Sequence, residues 1–248
     1  MSSLSIDEVI GTIRRSSLPT VITEGKDDYF IYRRVEAMVS DSGASFFPVG
    51  GRATVLEIFR RRAEMAGGKV AFIIDLDMWA LSEPPEEFVS PWLATTFGYS
   101  IENDLYIDGE LERLLHGEEV GRFRRDLSQL CNWFAREVDL YSQGQSHLVD
   151  MHVDRILDRD GNIITDIESS RLISTRSSAT YEKVCARYQH LIRGKTLLSL
   201  LLRHLSYPGR GARHNDRSLM EVAAIADGAL MKALAERVRQ ALAEPMVP

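Results

Sequence analysis

Val70-Ala71-Phe72-Ile73-Ile74-Asp75-Leu76-Asp77 is the stretch that decides the fold. Its first five residues are apolar and mostly β-branched or aromatic, which is typical of a strand buried on both faces of a parallel sheet. Two carboxylates, Asp75 and Asp77, follow the strand directly. Ligands of open α/β sheets bind beyond the carboxyl ends of the strands, so this pair marks a candidate site. Alternate residues of an extended chain point the same way, and we therefore expect both carboxylates to reach one site.

A divalent cation is one explanation for this pair of acids. Two close carboxylates repel each other unless a proton or a cation relieves the repulsion. Mg²⁺ suits the position, because it prefers oxygen ligands and keeps waters for substrate phosphates. The plainer interpretation is a strand followed by an acidic, solvent-exposed turn. The hypothesis of a cation site therefore depends on the other residues that converge there.

The residues before this stretch alternate between short strands and helices. Strands are predicted at 20–24 and 45–49, and helices at 26–39 and 53–66, with glycines at the connections. The order strand, helix, strand, helix, strand predicts an α/β fold with a parallel sheet and crossover helices. Beyond about residue 108 the apolar periodicity becomes helical.

This change in periodicity predicts two domains. The first, 1–108, is expected to be an α/β domain with a core of about 20–107. The second, 109–248, is expected to be mainly helical, with a hairpin near 152–166 and a long final helix over 218–242.

The composition describes an ordinary globular protein. The 248 residues are 44% hydrophobic and 27% charged, which is enough apolar material for a core. The net charge of −6 argues against a protein that coats nucleic acid indiscriminately, but it leaves room for a local basic groove. Two cysteines without a motif, no signal peptide and no apolar run longer than 197–202 predict a cytoplasmic protein without membrane contact.

Further candidate residues are predicted at the same edge of the sheet. Glu24 ends the first strand, Gly50-Gly51-Arg52 ends the second, and Asp75 with Asp77 ends the third. Asp28 lies one turn into the helix after Glu24, where its carboxylate can face back toward the strand end. Each feature alone would be unremarkable, but their order makes coincidence a weaker explanation.

These motifs resemble those of a known fold family. Glu24-Gly25-Lys26-Asp27-Asp28, followed by Ile73-Ile74-Asp75-Leu76-Asp77, resembles the TOPRIM fold of topoisomerases, bacterial primases and OLD-type nucleases. Pro48-Val49-Gly50-Gly51-Arg52, Tyr99-Ser100-Ile101-Glu102-Asn103 and Ile192-Arg193-Gly194-Lys195 resemble, more narrowly, one bacterial TOPRIM family. That family includes the effector nuclease of the PARIS anti-phage system, which works with an ABC-type ATPase.

The resemblance implies a role for each acid. Glu24 would be a metal ligand or a general acid/base, and Asp75 with Asp77 would hold divalent metal. Asp28 would match the second acid of OLD-type nucleases, and Glu102 would be a further carboxylate near the metals. One or two Mg²⁺ or Mn²⁺ ions could then orient a water and stabilise the leaving oxygen. Alternatively, Glu102 caps the short helix that begins near residue 100.

Basic residues are candidates for contacts with phosphate. The resemblance suggests that Lys195 lies near the scissile phosphate, where it would offset developing charge. A basic residue beside a helix start is an equally good interpretation of Lys195. Lys26, Arg52 and Arg193 are further candidates, although Arg52 could instead pair with a carboxylate at the sheet end. Residues 186–217 contain seven Lys or Arg and one acid, which suits a phosphate backbone.

Two functions from different classes follow from these motifs. The first is a metal-dependent endonuclease that cleaves DNA or RNA such as tRNA, as the effector of an anti-phage system controlled by an ABC-type ATPase. The alternative is a non-catalytic TOPRIM module whose helical half docks on a partner ATPase through Val222, Ile225 and Leu230. Homodimerisation stays open.

Overall fold

The computed structural model describes residues 4–25, 29–164, 178–226, 228–244 and 246. These residues fall into two units, which are described separately below. The first unit comprises Met1–Phe97 and Ala224–Pro248, and the second comprises Gly98–Ala223.

Four parallel strands form the sheet of the first unit. They are β1 Thr20–Thr23, β2 Ser45–Pro48, β3 Val70–Ile74 and β4 Leu93–Thr95, in the spatial order β2-β1-β3-β4. All five residues of β3 are buried, as the apolar run predicts. The predicted parallel sheet with intervening helices is therefore confirmed.

The register of the strands brings their carboxyl ends to one edge. Thr23 of β1 pairs with Pro48 of β2, and Ile74 of β3 pairs with Thr95 of β4. The residues that follow β1, β2 and β3 therefore start from neighbouring positions, which is the arrangement that the sequence motifs require.

Eleven α-helices lie in the described ranges. In chain order they are α1 Ile6–Arg15, α2 Tyr29–Met38, α3 Arg52–Arg60, α4 Ile101–Asp108, α5 Glu118–Ser142, α6 Val153–Ile156, α7 Ser178–Ala186, α8 Tyr188–Leu191, α9 Gly194–Leu205, α10 Asp216–Ile225 and α11 Ala229–Ala243. The predicted final helix over 218–242 is divided into α10 and α11, which are separated by a short break.

The C-terminal helix belongs to the sheet domain. α11 packs against α2, β3 and β4, and its residues Leu234 and Val238 are fully buried. Met246 exchanges backbone hydrogen bonds with Gly67 and Gly68, where its N–H donates to Gly68 O at 3.1 Å. The predicted division after residue 108 differs from the observed one, because this long-range packing leaves no local signal in the sequence.

The second unit is built around α5 and α9. The buried face of α5 includes Phe123, Leu130 and Phe134, and α9 packs on both α4 and α5. An antiparallel bridge between Leu157 and Ile163 closes a tight turn inside the predicted hairpin. Part of that hairpin, 165–166, lies outside the described residues, and α6 occupies its beginning.

No helix in the described part of the chain is both long enough and apolar enough to cross a lipid bilayer.

A buried ion pair lies at the start of α5. Arg210 Nε donates to Glu119 Oε1 at 2.9 Å, Tyr207 Oη donates to the same oxygen at 3.0 Å, and His116 N donates to Oε2 at 2.9 Å. The side chains of Glu119 and Arg210 are 8% and 10% exposed. The hydrogen bond from Arg210 lowers the pKa of Glu119 to about 2, against the opposing effect of burial.

This pair should make stability depend on acid pH. Because folding lowers the pKa of Glu119 from 4.5 to about 2, its contribution is complete above pH 4.5 and is lost as the pH falls toward 2. We expect Glu119→Gln to reduce the free energy of unfolding by about 3 kcal/mol at pH 7 and by less than half of that at pH 3. Urea unfolding of both proteins at the two pH values measures the difference. A difference that does not change with pH would contradict this account.

Candidate functional site

Glu24 is fixed at the carboxyl edge of the sheet. It follows β1 directly, and its Oε1 accepts a hydrogen bond from Asp75 N at 2.8 Å. The side chain is half-buried. The structure therefore brings Glu24 and Asp75 together from positions 51 residues apart, as the sequence motifs predict.

The backbone of Glu24 is held as firmly as its side chain. Its carbonyl oxygen accepts hydrogen bonds from Gly50 N at 2.7 Å and from Gly51 N at 2.6 Å. Gly50 and Gly51 have φ values of +99° and +133°, which other residues rarely adopt. The double glycine therefore permits the turn that joins the end of β2 to the end of β1.

Arg52 contacts both residues Asp75 and Asp77 at the sheet edge. Its Nη1 donates to Asp75 O and lies 3.5 Å from Asp77 Oδ2. Its guanidinium stacks over the ring of Trp79, with 4.1 Å between the guanidinium carbon and the ring centroid. Of the two roles that the sequence left open for Arg52, the structure shows the pairing with a carboxylate at the sheet end.

The chain leaves the extended conformation immediately after β3. Leu76 has helical dihedral angles, and Asp77 adopts a φ of +48° at the start of the turn Asp77–Ala80. Leu76 N donates to Thr96 Oγ1 at 3.0 Å, which stabilises this change of direction. The argument from strand alternation therefore does not hold beyond Ile74. Aspartate is among the non-glycine residues that adopt a positive φ most readily, so this turn suits the residue at position 77.

The described carboxylates at this edge do not form a complete cage for a cation. Within the described ranges, no group of three or more His, Cys, Asp or Glu side chains is arranged to hold a metal ion. Mg²⁺ commonly binds through only one or two carboxylates and completes its shell with water and substrate phosphates. Glu24 and Asp77 fit such a site by ligand type, with Arg52 as the competing positive charge. Lys26 and Asp28 lie outside the described residues.

The two later motifs meet in the second unit. Asn103 Nδ2 donates to Gln189 O at 2.6 Å and to Ile192 O at 2.8 Å, and Tyr99 N donates to His190 O at 2.7 Å. A Cβ atom on Gly194 would lie 2.8 Å from the Glu102 Cβ, so only glycine fits there. Segments about 90 residues apart therefore form one local structure, with Asn103 as its main polar link.

Glu102 is a buried acid beside Lys195. It is 4% exposed, and its Oε1 lies 3.7 Å from Lys195 Nζ without a hydrogen bond from any described residue. Asn103 Oδ1 accepts from Ser100 N at 3.0 Å and so caps α4, which removes the need for Glu102 to act as the cap. A buried carboxylate oxygen without a hydrogen bond is unfavourable, and the charge of Lys195 offsets part of this cost.

Arg193 and Lys195 differ in their surroundings. Arg193 Nη1 donates to Asp150 O at 3.1 Å, so this guanidinium supports the fold of the second unit. Lys195 is the second residue of α9, and 55% of its side chain is exposed. The structural role of Asn103 was missed by sequence reasoning, although the capping pattern Ser100-x-x-Asn103 is a usable signal.

Comparison with protein-family models found no match, and a search of curated proteins found no similar sequence.

Two substitutions of Glu24 separate its structural role from any chemical one. Glu24→Ala leaves Asp75 N without its acceptor, which should lower the free energy of unfolding by about 1–3 kcal/mol. Glu24→Gln keeps an acceptor oxygen in the same place, so we expect a loss of less than about 1 kcal/mol. Urea unfolding measures both values, with the exposed Glu83→Ala as the control. Equal stability of the Ala variant and the wild type would show that this hydrogen bond contributes nothing.

Proposed function

We propose that the protein is a metal-dependent endonuclease that hydrolyses phosphodiester bonds in nucleic acid. The observation that carries the proposal is the hydrogen bond between the Glu24 carboxylate and Asp75 N at the carboxyl edge of a parallel sheet. It supports a site in which acids from two separate strands act on one substrate group. The resemblance of the same residues to the TOPRIM motif adds to this support.

The residues of the sheet edge have distinct parts in the proposed reaction. Glu24 is fixed at the sheet edge by its hydrogen bonds, and we propose that its carboxylate serves a cation or a water from this position. The side chain of Asp77 is 39% exposed, so the same cation or water can reach its carboxylate. A bound Mg²⁺ or Mn²⁺ would polarise the phosphoryl oxygen and lower the pKa of a coordinated water.

In this proposal Arg52 exchanges one anionic partner for another. It lies 3.5 Å from Asp77 in the structure, and its planar guanidinium also matches phosphate geometry. When a cation binds Asp77, Arg52 would be released toward the substrate phosphate. The proposed roles of Glu102 and Lys195 in the second unit, a metal ligand and a phosphate contact, come from the resemblance alone.

The biological setting of the proposal comes from the resemblance alone. The resemblance implies an anti-phage effector that an ABC-type ATPase controls. Its substrate would be either DNA or an RNA such as tRNA. A site made of carboxylates recognises phosphodiesters in general, so the chemistry does not select between RNA and DNA.

A non-catalytic module that docks on a partner ATPase is the second candidate function. Its support is the pair Val222 and Ile225 on α10, which are 66% and 60% exposed although both are apolar. Leu230 lies beyond the break before α11, so the predicted apolar face is not continuous over one helix.

Cleavage assays with matched variants test the leading proposal. We expect the full chain to cut labelled RNA or DNA in the presence of Mg²⁺ or Mn²⁺ and to lose this activity in EDTA. Glu24→Gln and Asp77→Asn should each lower the rate by about 100-fold or more, the loss typical of a missing contact to the transition state. Glu83→Gln, an exposed acid of the same unit, is the control and should leave the rate unchanged.

Two results would count against the proposal. Cleavage at the wild-type rate by both variants would exclude this site as the source of activity. Absence of cleavage by the wild type under all metal conditions, together with stable binding to a co-expressed ATPase that Val222→Asp abolishes, would favour the second candidate.

A further inference from the structure

The second unit contains a cavity rich in arginine. It has a volume of about 400 Å³ and lies between α5, the turn after α6, and α9. Arginines from three separate segments line it: Arg122 and Arg125 on α5, Arg159 in the turn and Arg203 on α9, with His204 and Tyr207 beside them. The volume is within the range of sites for small ligands, about 300–1,000 Å³.

The cavity carries a surplus of positive charge. Its lining has four arginines and two acids, Asp126 and Asp154, which gives a formal charge of +2 on a chain whose net charge is −6. Arg125 lies 3.3 Å from Asp126, and Arg203 lies 3.6 Å from Asp154. These two pairs account for both acids of the lining.

Arg122 and Arg159 supply the surplus charge. Neither forms an ion pair with any residue in the described part of the chain. Arg122 lies over the ring of Tyr207, with 5.5 Å between the guanidinium carbon and the ring centroid, and Arg159 is exposed. Both guanidinium groups are therefore available to an anion.

The floor of the cavity is buried and fixed. His204 Nε2 lies 3.3 Å from Asp126 Oδ2, and their side chains are 8% and 3% exposed. The two atoms form a close polar contact whose geometry is not that of a hydrogen bond. Burial raises the pKa of Asp126, but His204, Arg125 and Arg203 outweigh it and leave the pKa below its ordinary value. Asp126 therefore stays ionised and holds the surrounding cations in place.

The turn that carries Arg159 is held against this floor. Gly161 has a φ of +84°, and a Cβ atom there would overlap Asp126 Oδ1. Arg203 Nη1 donates to Leu157 O at 3.1 Å, which joins the same turn to α9. The backbone that carries Arg159 is thus set by tertiary contacts before any ligand binds, which reduces the entropy lost on binding.

We propose that this cavity binds the phosphate group of a nucleotide, either free or within a nucleic acid. Guanidinium groups match phosphate oxygens in charge and geometry and are favoured over lysine where planar recognition matters. The cavity is also larger than a single phosphate requires, so the attached sugar or base can enter. The proposal rests on the second unit alone and does not depend on the nuclease activity proposed above.

Binding measurements with EDTA present test this proposal apart from any cleavage. The probes are a fluorescent ATP analogue and a labelled 12-nucleotide RNA or DNA strand, with the full chain as the receptor. We expect the double variant Arg122→Gln/Arg159→Gln to bind the probe that the wild type binds at least tenfold more weakly, because each substitution removes a charge-assisted hydrogen bond to phosphate. Arg124→Gln, an exposed arginine of the same helix that does not line the cavity, is the matched control and should bind within twofold of wild type.

The two sources of phosphate give different results. Binding of the ATP analogue that the double variant loses would identify a free nucleotide. Binding of the strand that ATP does not displace would identify a nucleic-acid backbone. In that case the slope of the logarithm of affinity against the logarithm of salt concentration should be smaller by about one for each arginine removed. A double variant that melts at the wild-type temperature and binds both probes as tightly as wild type would overturn the proposal, as would a wild type that binds neither.

Discussion

The candidate site depends on how one glutamate is held between three strand ends. The carboxylate of Glu24 accepts from Asp75 N after β3, and its carbonyl accepts from Gly50 and Gly51 after β2. These hydrogen bonds connect the carboxyl ends of three parallel strands at the edge where α/β sheets present their ligands. The positive φ values of the two glycines and the sharp turn after Ile74 lie directly beside these hydrogen bonds.

Electrostatic balance explains why the acids can share this edge. Arg52, packed on Trp79 and paired with Asp77, supplies the positive charge that the cluster needs in the structure. A divalent cation would have to compete with this guanidinium for Asp77. The protein should therefore bind metal weakly in the absence of substrate, and more tightly when a substrate phosphate offers Arg52 another partner. The buried Glu102 beside Lys195 shows the same principle in the second unit, where one exposed cation compensates one buried acid.

Local signals in the sequence were sufficient for the sheet and its edge. The buried apolar run of β3 and the glycines after β1 and β2 are short-range features, and they located Glu24, Arg52, Asp75 and Asp77 correctly at the strand ends. The turn at Asp77 was missed because it depends on contacts from Thr96 and Arg52. The placement of α11 and the arginine cavity were missed for the same reason, since their contacts join segments far apart in the chain. Lys26 and Asp28 stay predictions.

The most direct test of this account is the location of a bound metal. A crystal of the protein grown with Mn²⁺ should show an anomalous diffraction peak within coordination distance of the carboxylate oxygens of Glu24 and Asp77. In the same crystal, the Arg52 guanidinium should have moved away from Asp77. Absence of a peak at this edge at millimolar Mn²⁺, with the pairing of Arg52 and Asp77 unchanged, would contradict the account.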